Sequence, residues 1–213
     1  MNFKTKKFDF PTTQFFNEDT EKKQIYLHHT AGGGNAELVY KWWSSNPERV
    51  ATCVVIGENG DIVQGFSSKK WAYHLGLKTN TFKEFKLPFK SLDKISIGVE
   101  LCCWGNLNEI DGKFYNYVNR EVDPKKVITL DKPFRGFEHW YNYSDEQINS
   151  LKELLLYWGK TYDIPLDYNE DIFSLNSRAL SGAKGIYTHN SVRKDKVDIY
   201  PHPKLIEMLK SLK

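Results

Sequence analysis

The sequence predicts an α/β fold, a mixed central β-sheet flanked by helices. Three observations carry that expectation. An apolar run over residues 24–30 passes through a glycine-rich turn into a helical repeat; two β-rich runs joined by Glu58-Asn59-Gly60-Asp61 read as antiparallel neighbours; and residues 144–162 form an amphipathic helix.

The elements follow in order. Residues 24–30 read as a buried strand ending at the glycines of "IYLHHTAGGG". Asn35 is placed to cap a helix on which Leu38, Val39, Trp42 and Trp43 recur at helical spacing and pack on the sheet. "ATCVVIGENGDIVQGF" holds a hairpin, because Asn-Gly between apolar runs supplies the positive φ angles of a tight turn. Residues 95–105, "ISIGVELCCWG", alternate too little for an edge and read as a central strand. Residues 107–143 form an insertion-like region, with a hairpin around Asp111-Gly112 and then an irregular stretch containing Pro124 and Pro133. Ser144 with Gln147 opens the surest helix as a capping box, and Ile148, Leu151, Leu154, Leu155 and Trp158 share its apolar face. Further helices are expected over residues 171–180 and 203–212.

Size and composition bound the function. A chain of 213 residues, 40% hydrophobic and 27% charged, supports one core and is read as a single domain over residues 1–213. No apolar run is long enough to span a membrane. The N-terminal "MNFKTKKFDFPTTQFF" lacks the apolar segment of a secretory leader, so synthesis in a cytoplasm is expected. Cys53, Cys102 and Cys103 are read as reduced and mostly buried, since the count is odd and the adjacent pair lies in an apolar run. A net charge of +3 with no RNA- or DNA-reading motif argues against a nucleic-acid partner, and a monomer is expected. The six tryptophans and twelve tyrosines go mostly to the core, while any exposed rings suit stacking on sugar or peptide ligands.

Chemistry-bearing residues recur at element ends. His28 and His29 must point to opposite faces of their strand, so one of them at most serves a given site. His189 and Asp198 lie nine positions apart in a turn-rich segment, and with His28 they make three potential metal ligands. With neither an HExxH nor a CxxC pair present, spacing alone leaves a metal site and hydrogen-bonded structural histidines both open. Glu100 sits in the middle of the central strand, where a carboxylate is paired, ligating, catalytic or turned to a wet face.

Five segments in order, "IYLHHTA", "VVIGENGDIVQGF", "WAYHLG", "SIGVEL" and "THNSVRKDKVDIYP", resemble the zinc-dependent N-acetylmuramoyl-L-alanine amidases. That superfamily also includes the animal peptidoglycan-recognition proteins and the phage lysis amidases, and the phage endolysin type is the most similar. The resemblance implies the amidase type 2 fold, Zn2+ held by His28, His189 and Asp198, and peptidoglycan as the partner. It implies Glu100 as the base that handles the proton of the attacking water, and Lys196 as the cation over the carbonyl oxygen; without the resemblance Lys196 reads as a solvated lysine in "RKDK". It places His74 in a substrate-contact or orienting role, with Trp71 and Tyr73 beside the groove although one of them is expected in the core. Thr30 and Asn190 join the substrate-binding set as candidates for fixing the far nitrogens of the ligating imidazoles. His29 is left to pack against the other side of the sheet. Cys53 departs from the family, many of whose members carry a polar residue there, and the region 107–143 is longer than in minimal members. The implied reaction is hydrolysis of the amide between N-acetylmuramic acid and L-alanine, in an enzyme released at lysis to act on the cell wall. A muropeptide-recycling or wall-remodelling amidase would share these residues, and a non-catalytic peptidoglycan-binding module would typically lack one of the ligands.

Overall fold

The structure, a computed structural model, describes residues 4–212; the first three residues of the stretch read for a leader, and Lys213, lie outside it. Among the described residues six strands make the main sheet: β1 (Thr5–Lys7), β2 (Gln24–His29), β3 (Val54–Ile56), β4 (Ile62–Gln64), β5 (Ser96–Leu101) and β11 (Gly185–Thr188). Their order is β1-β4-β3-β5-β2-β11. The β3/β4 hairpin is antiparallel as its Asn-Gly turn requires, and the other pairings are parallel, so the sheet is mixed. β5 lies at its centre with β2 beside it, between β5 and the edge strand β11, and all six residues of β2 are buried.

Helices cover the sheet: α1 (Ala36–Ser44), α2 (Thr79–Glu84), α3 (Leu92–Ile95), α4 (Asp145–Tyr162), α5 (Ser177–Ser181) and α6 (Pro203–Lys210). Among them no helix is long and apolar enough to cross a membrane. α4 begins with the expected capping box of Ser144 and Gln147 and buries Ile148, Leu151, Leu154, Leu155 and Trp158. Gln147 also ties the helix to the sheet, its Nε2 donating to the carbonyls of Ile56 and Cys102. The three cysteines are free and buried.

α1 departs from expectation. Asn35 caps it, accepting from the amides of Glu37 and Leu38, but the buried face is Ala36, Tyr40 and Trp43. Tyr40 lies against Gly65, where any Cβ would collide with its ring, and its hydroxyl donates to the Thr52 carbonyl. Leu38 and Trp42, four residues apart and read as packing on the sheet, are turned to solvent.

Region 107–143 is better ordered than its sequence suggests. β6 (Asn108–Ile110), β7 (Lys113–Tyr115) and β8 (Glu121–Val122) form a small sheet turning at Asp111-Gly112, as expected. The stretch read as irregular is a second hairpin, β9 (Val127–Phe134) with β10 (Phe137–Tyr141). Its turn is Arg135-Gly136, both at positive φ, so an arginine stands where the turn signal looks for asparagine or aspartate. Pro133 is tolerated because a two-stranded ribbon has only edge strands. β10 also brings the fully buried Trp140 into the core, where it stacks on Tyr200 and Tyr200 stacks on Tyr143. The single helix expected over residues 171–180 is instead a 3-10 turn, Glu170–Phe173, followed by α5, because Asn176 caps α5 by accepting from the amide of Ala179.

β2's alternation separates its histidines. His29 packs into the aromatic layer, 2.9 Å from the Tyr143 hydroxyl, and desolvation pushes its imidazole down to about 4. His202, which caps α6, is likewise pushed down to about 4 by burial. The unfolded chain protonates both near 6.5, so between pH 6.5 and 4 it binds more protons than the folded chain does. Stability present above pH 6.5 is therefore lost as pH falls through that window. The melting midpoint is expected to drop by roughly 10 °C between pH 7 and 5, and a scan of midpoint against pH in His29→Gln should show a shallower slope.

Candidate metal centre

The adjacent ends of β5, β2 and β11 bring the candidate residues together. In the parallel pairing His28 stands directly beside Glu100, which puts both side chains on one face. β11 ends at Thr188, and the next turn, 3-10 helix His189–Ser191, swings His189 over the same edge. Ser191 and Thr188 both donate to the carbonyl of Ile172, which pins that turn. Asp198 arrives on the loop that follows, its backbone gripped by Asn190, whose Nδ2 donates to the carbonyls of Asp198 and Ile199.

Three atoms converge. His28 Nδ1 and His189 Nδ1 are 3.2 Å apart, and Asp198 Oδ2 lies 3.1 Å from the first and 3.0 Å from the second. The protons on the far nitrogens can be followed outward. His189 Nε2 is 3.0 Å from the carbonyl of Leu75, a pure acceptor, so Nε2 carries the proton. His28 Nε2 is 3.0 Å from His74 Nδ1, His74 Nε2 is 2.9 Å from Ser96 Oγ, and Ser96 donates to the carbonyl of Asp93. Each link has one donor and one acceptor when His28 and His74 both carry their protons on Nε2.

Both inward nitrogens then present lone pairs to a carboxylate oxygen, with no proton among the three. Burial pushes Asp198's carboxyl up, but the neighbouring His189 and His28 more than offset it and hold the group well below the usual carboxylate range, so it stays ionised. Burial also pushes His28 down to about 4, against the pull of Asp198. Such a donor set suits a cation. Tetrahedral coordination with bonds of about 2.0–2.1 Å sets ligand atoms about 3.3 Å apart, close to the spacing found, so the donor set fits a small divalent ion.

Glu100 completes the face. Its Oε2 is enclosed and has no hydrogen-bond partner. Desolvation raises its pKa well above the ordinary value, Asp198's charge adds to the rise, and Lys196's ammonium works against it. Lys196 itself is half-buried.

The other sequence candidates are spread more widely. His74 is inserted behind His28, in space left by Gly98, where a Cβ would stand 3.1 Å from its Nδ1 and 2.7 Å from Thr52 Cγ2. Of the two roles read for it, its contacts are those of orientation. The far nitrogens of the imidazoles are held by His74 and the Leu75 carbonyl, not by Thr30 and Asn190; Asn190 instead holds the Asp198 backbone. Thr30 accepts from the amide of Cys103 and lines a cleft with Glu100. Trp71 is buried, stacked on Phe16 with its Nε1 donating to Glu18, while Tyr73 stands exposed against the same ring. Cys53 is buried with its thiol pushed up to about 12 by desolvation, so it offers the site no polar group.

Three side chains at the Glu100 cleft are not functional candidates in the sequence: Leu38 and Trp42, read there as packing on the sheet, and Tyr117. A signal existed in α1, which is apolar on two faces, more than a single buried stripe can use.

Comparison with known proteins bears on these observations. No curated protein is close enough in sequence to count as a match. Among solved structures the chain is similar to PlyL, with 15% identity, 100% of this chain and 99% of that one covered, and a TM-score of 0.56. It is similar to the PlyG catalytic domain, at 15% identity, coverage of 99% and 93%, and a TM-score of 0.56. It is also similar to the N-acetylmuramoyl-L-alanine amidase LysC from Clostridium intestinale, at 14% identity, coverage of 98% and 96%, and a TM-score of 0.51. At these identities the likeness is one of fold. The family model for N-acetylmuramoyl-L-alanine amidase matches residues 18–203, from ahead of β2 to the start of α6. Because that match takes in every strand and loop from which the metal centre is built, the chain belongs to the N-acetylmuramoyl-L-alanine amidases of type 2.

Proposed function

We propose that the protein is a zinc-dependent peptidoglycan hydrolase that cleaves the amide between the lactyl group of N-acetylmuramic acid and L-alanine, in the manner of a phage or prophage endolysin. The observation that carries this reading is the convergence of three possible metal-donor atoms beside a carboxylate whose enclosed Oε2 has no hydrogen-bond partner, in a chain of the amidase family. His28, His189 and Asp198 would hold Zn2+, two imidazoles and one carboxylate being a usual donor set for a catalytic zinc site. Bound there, zinc supplies Lewis acidity, polarising the scissile carbonyl and acidifying the attacking water.

The chain's own residues do the rest. Glu100 takes the proton of the attacking water on its free Oε2 and returns it to the nitrogen of the departing L-alanine as the C–N bond breaks. A carboxyl whose pKa is raised by burial is suited to both halves of that transfer. Lys196, whose charge is felt at Glu100 and His28, stabilises the oxyanion. The His74–Ser96 chain keeps His28 in the tautomer with a bare Nδ1.

Turnover of purified sacculi, scored as new L-alanine amino termini, tests the reading. Amino termini should appear with the protein as purified, vanish with a chelator and return with added zinc. Zinc-loaded protein that releases none from sacculi or from soluble muropeptides would overturn it.

A further inference from the structure

Asp93 is a buried carboxylate that the proposed chemistry leaves unused. It is 5% exposed and sits on α3, the four-residue helix that runs directly into β5 at the end opposite Glu100. Burying a carboxylate is costly unless its oxygens find donors. Oδ1 of Asp93 accepts from two consecutive amides, 2.8 Å from the nitrogen of His74 and 3.0 Å from that of Leu75. Burial raises the Asp93 carboxyl from its ordinary value, and these two amides work against the rise.

The segment to which those amides belong gives the contact its weight. Residues 74–78 lie in neither helix nor strand, so no ladder of main-chain bonds sets their path. Asp93 sets it instead. From the pinned pair two arms reach the metal centre: His74 Nδ1 lies 3.0 Å from His28 Nε2, and the Leu75 carbonyl lies 3.0 Å from His189 Nε2. A third contact comes from the main chain of the same residue, because Ser96 Oγ, 2.9 Å from His74 Nε2, donates to the Asp93 carbonyl. One residue thus stands behind the outer nitrogens of both imidazoles, yet it is not among the converging donors.

We propose that Asp93 is a positioning residue shared by the two metal-binding histidines, its carboxylate fixing the His74–Leu75 backbone so that both Nε2 protons find acceptors and both Nδ1 atoms stay bare. The proposal rests on the amidase reading for zinc as the ion, whereas the alignment of the two rings belongs to the protein's own side chains. A single brace at the start of β5 therefore governs ligands that arrive on two different strands' ends.

The ring N–H signals of His28 and His189 in 15N-labelled, metal-free protein test the assignment, each identified as the one missing in His28→Gln or His189→Gln. Asp93→Ala should move both signals. Ser96→Ala, which removes the partner of His74 Nε2, should move that of His28 and leave that of His189 in place. Zinc affinity, read by competition with a chromogenic chelator, should fall about 10- to 100-fold in Asp93→Ala, the usual effect of losing an outer partner. The fall should be smaller in Ser96→Ala, and Asp93→Asn, which keeps an oxygen acceptor, should recover much of it. A purely structural Asp93 would lower the melting midpoint of Asp93→Ala and leave ring signals and zinc affinity parental, and that result overturns the proposal, as does a shift confined to one ring. Should Asp93→Ala not fold, Asp93→Asn decides: its neutral oxygen accepts less strongly, so both ring signals should move by a smaller amount, and an unmoved pair overturns the proposal. Should the parent bind no zinc, the amidase reading fails, while the metal-free spectra still decide whether Asp93 orients both rings.

Discussion

Glu100→Gln is expected to lower kcat on sacculi by roughly 10²–10⁴-fold, the usual contribution of a positioned proton carrier, while leaving bound zinc unchanged. The substitution keeps the shape of the side chain and removes its capacity to accept a proton. Its contacts favour this clean separation. Oε2 makes no hydrogen bond that the amide would break, and Glu100 is not among the atoms that converge on the metal centre. An enclosed carboxylate oxygen without a partner is also a local cost to folding, so the variant should melt no lower than the parent. Metal analysis, turnover and a thermal scan on the same preparation check all three statements. Full activity in Glu100→Gln would transfer the proton role to another group.

Asp198→Ala is expected to abolish zinc retention, and the loss of activity should follow from that alone. The carboxylate is the one negative charge in the donor set, and without it two neutral imidazoles must hold a dication in a buried place. His74→Ala makes the graded comparison. It keeps all three donors but leaves the His28 Nε2 proton without its acceptor, and loss of such an outer partner costs about 10- to 100-fold in metal affinity. His74→Asn, which offers an acceptor near Nδ1, should recover much of it. Competition against a chromogenic chelator orders the four proteins: parent, His74→Asn, His74→Ala, Asp198→Ala. Ligand binding to the folded state raises its stability, so zinc should lift the parent's melting midpoint and leave that of Asp198→Ala unmoved.

The parts of this molecule legible in its sequence are those where local chemistry and tertiary context agree. β2, the Asn59-Gly60 hairpin and α4 each carry their own signal, in burial on both faces, turn residues or a capping box. The β9/β10 ribbon is hidden because it stands apart from the main sheet, leaving half of β9 exposed and without a period-2 pattern, and because Arg135 occupies a turn position usually marked by asparagine. His28, His189 and Asp198 were placed by resemblance, since 161 positions separate the two histidines and no short spacing links them. The His74–Ser96–Asp93 chain could not have been read at all: it depends on Gly98 leaving a hollow in β5, a fact of packing and not of pattern. Trp42 was misplaced because helical periodicity identifies stripes without saying which stripe meets the sheet.

The paired histidines of β2 have a bearing on how faithfully the chain finds its native pairing. The strand lies between two parallel neighbours, and a slip by one residue would carry His29 to the metal face and His28 into the aromatic layer. An imidazole would still greet an incoming ion. The ion is thus a poor proofreader of this strand, and fidelity falls to the residues that cannot trade places: Ile25 and Leu27, which share a face with His29, and Tyr26, whose ring packs beside those of His74 and Tyr187 on the other. Nascent chains that meet zinc only after those contacts have closed would avoid sealing in the wrong partner.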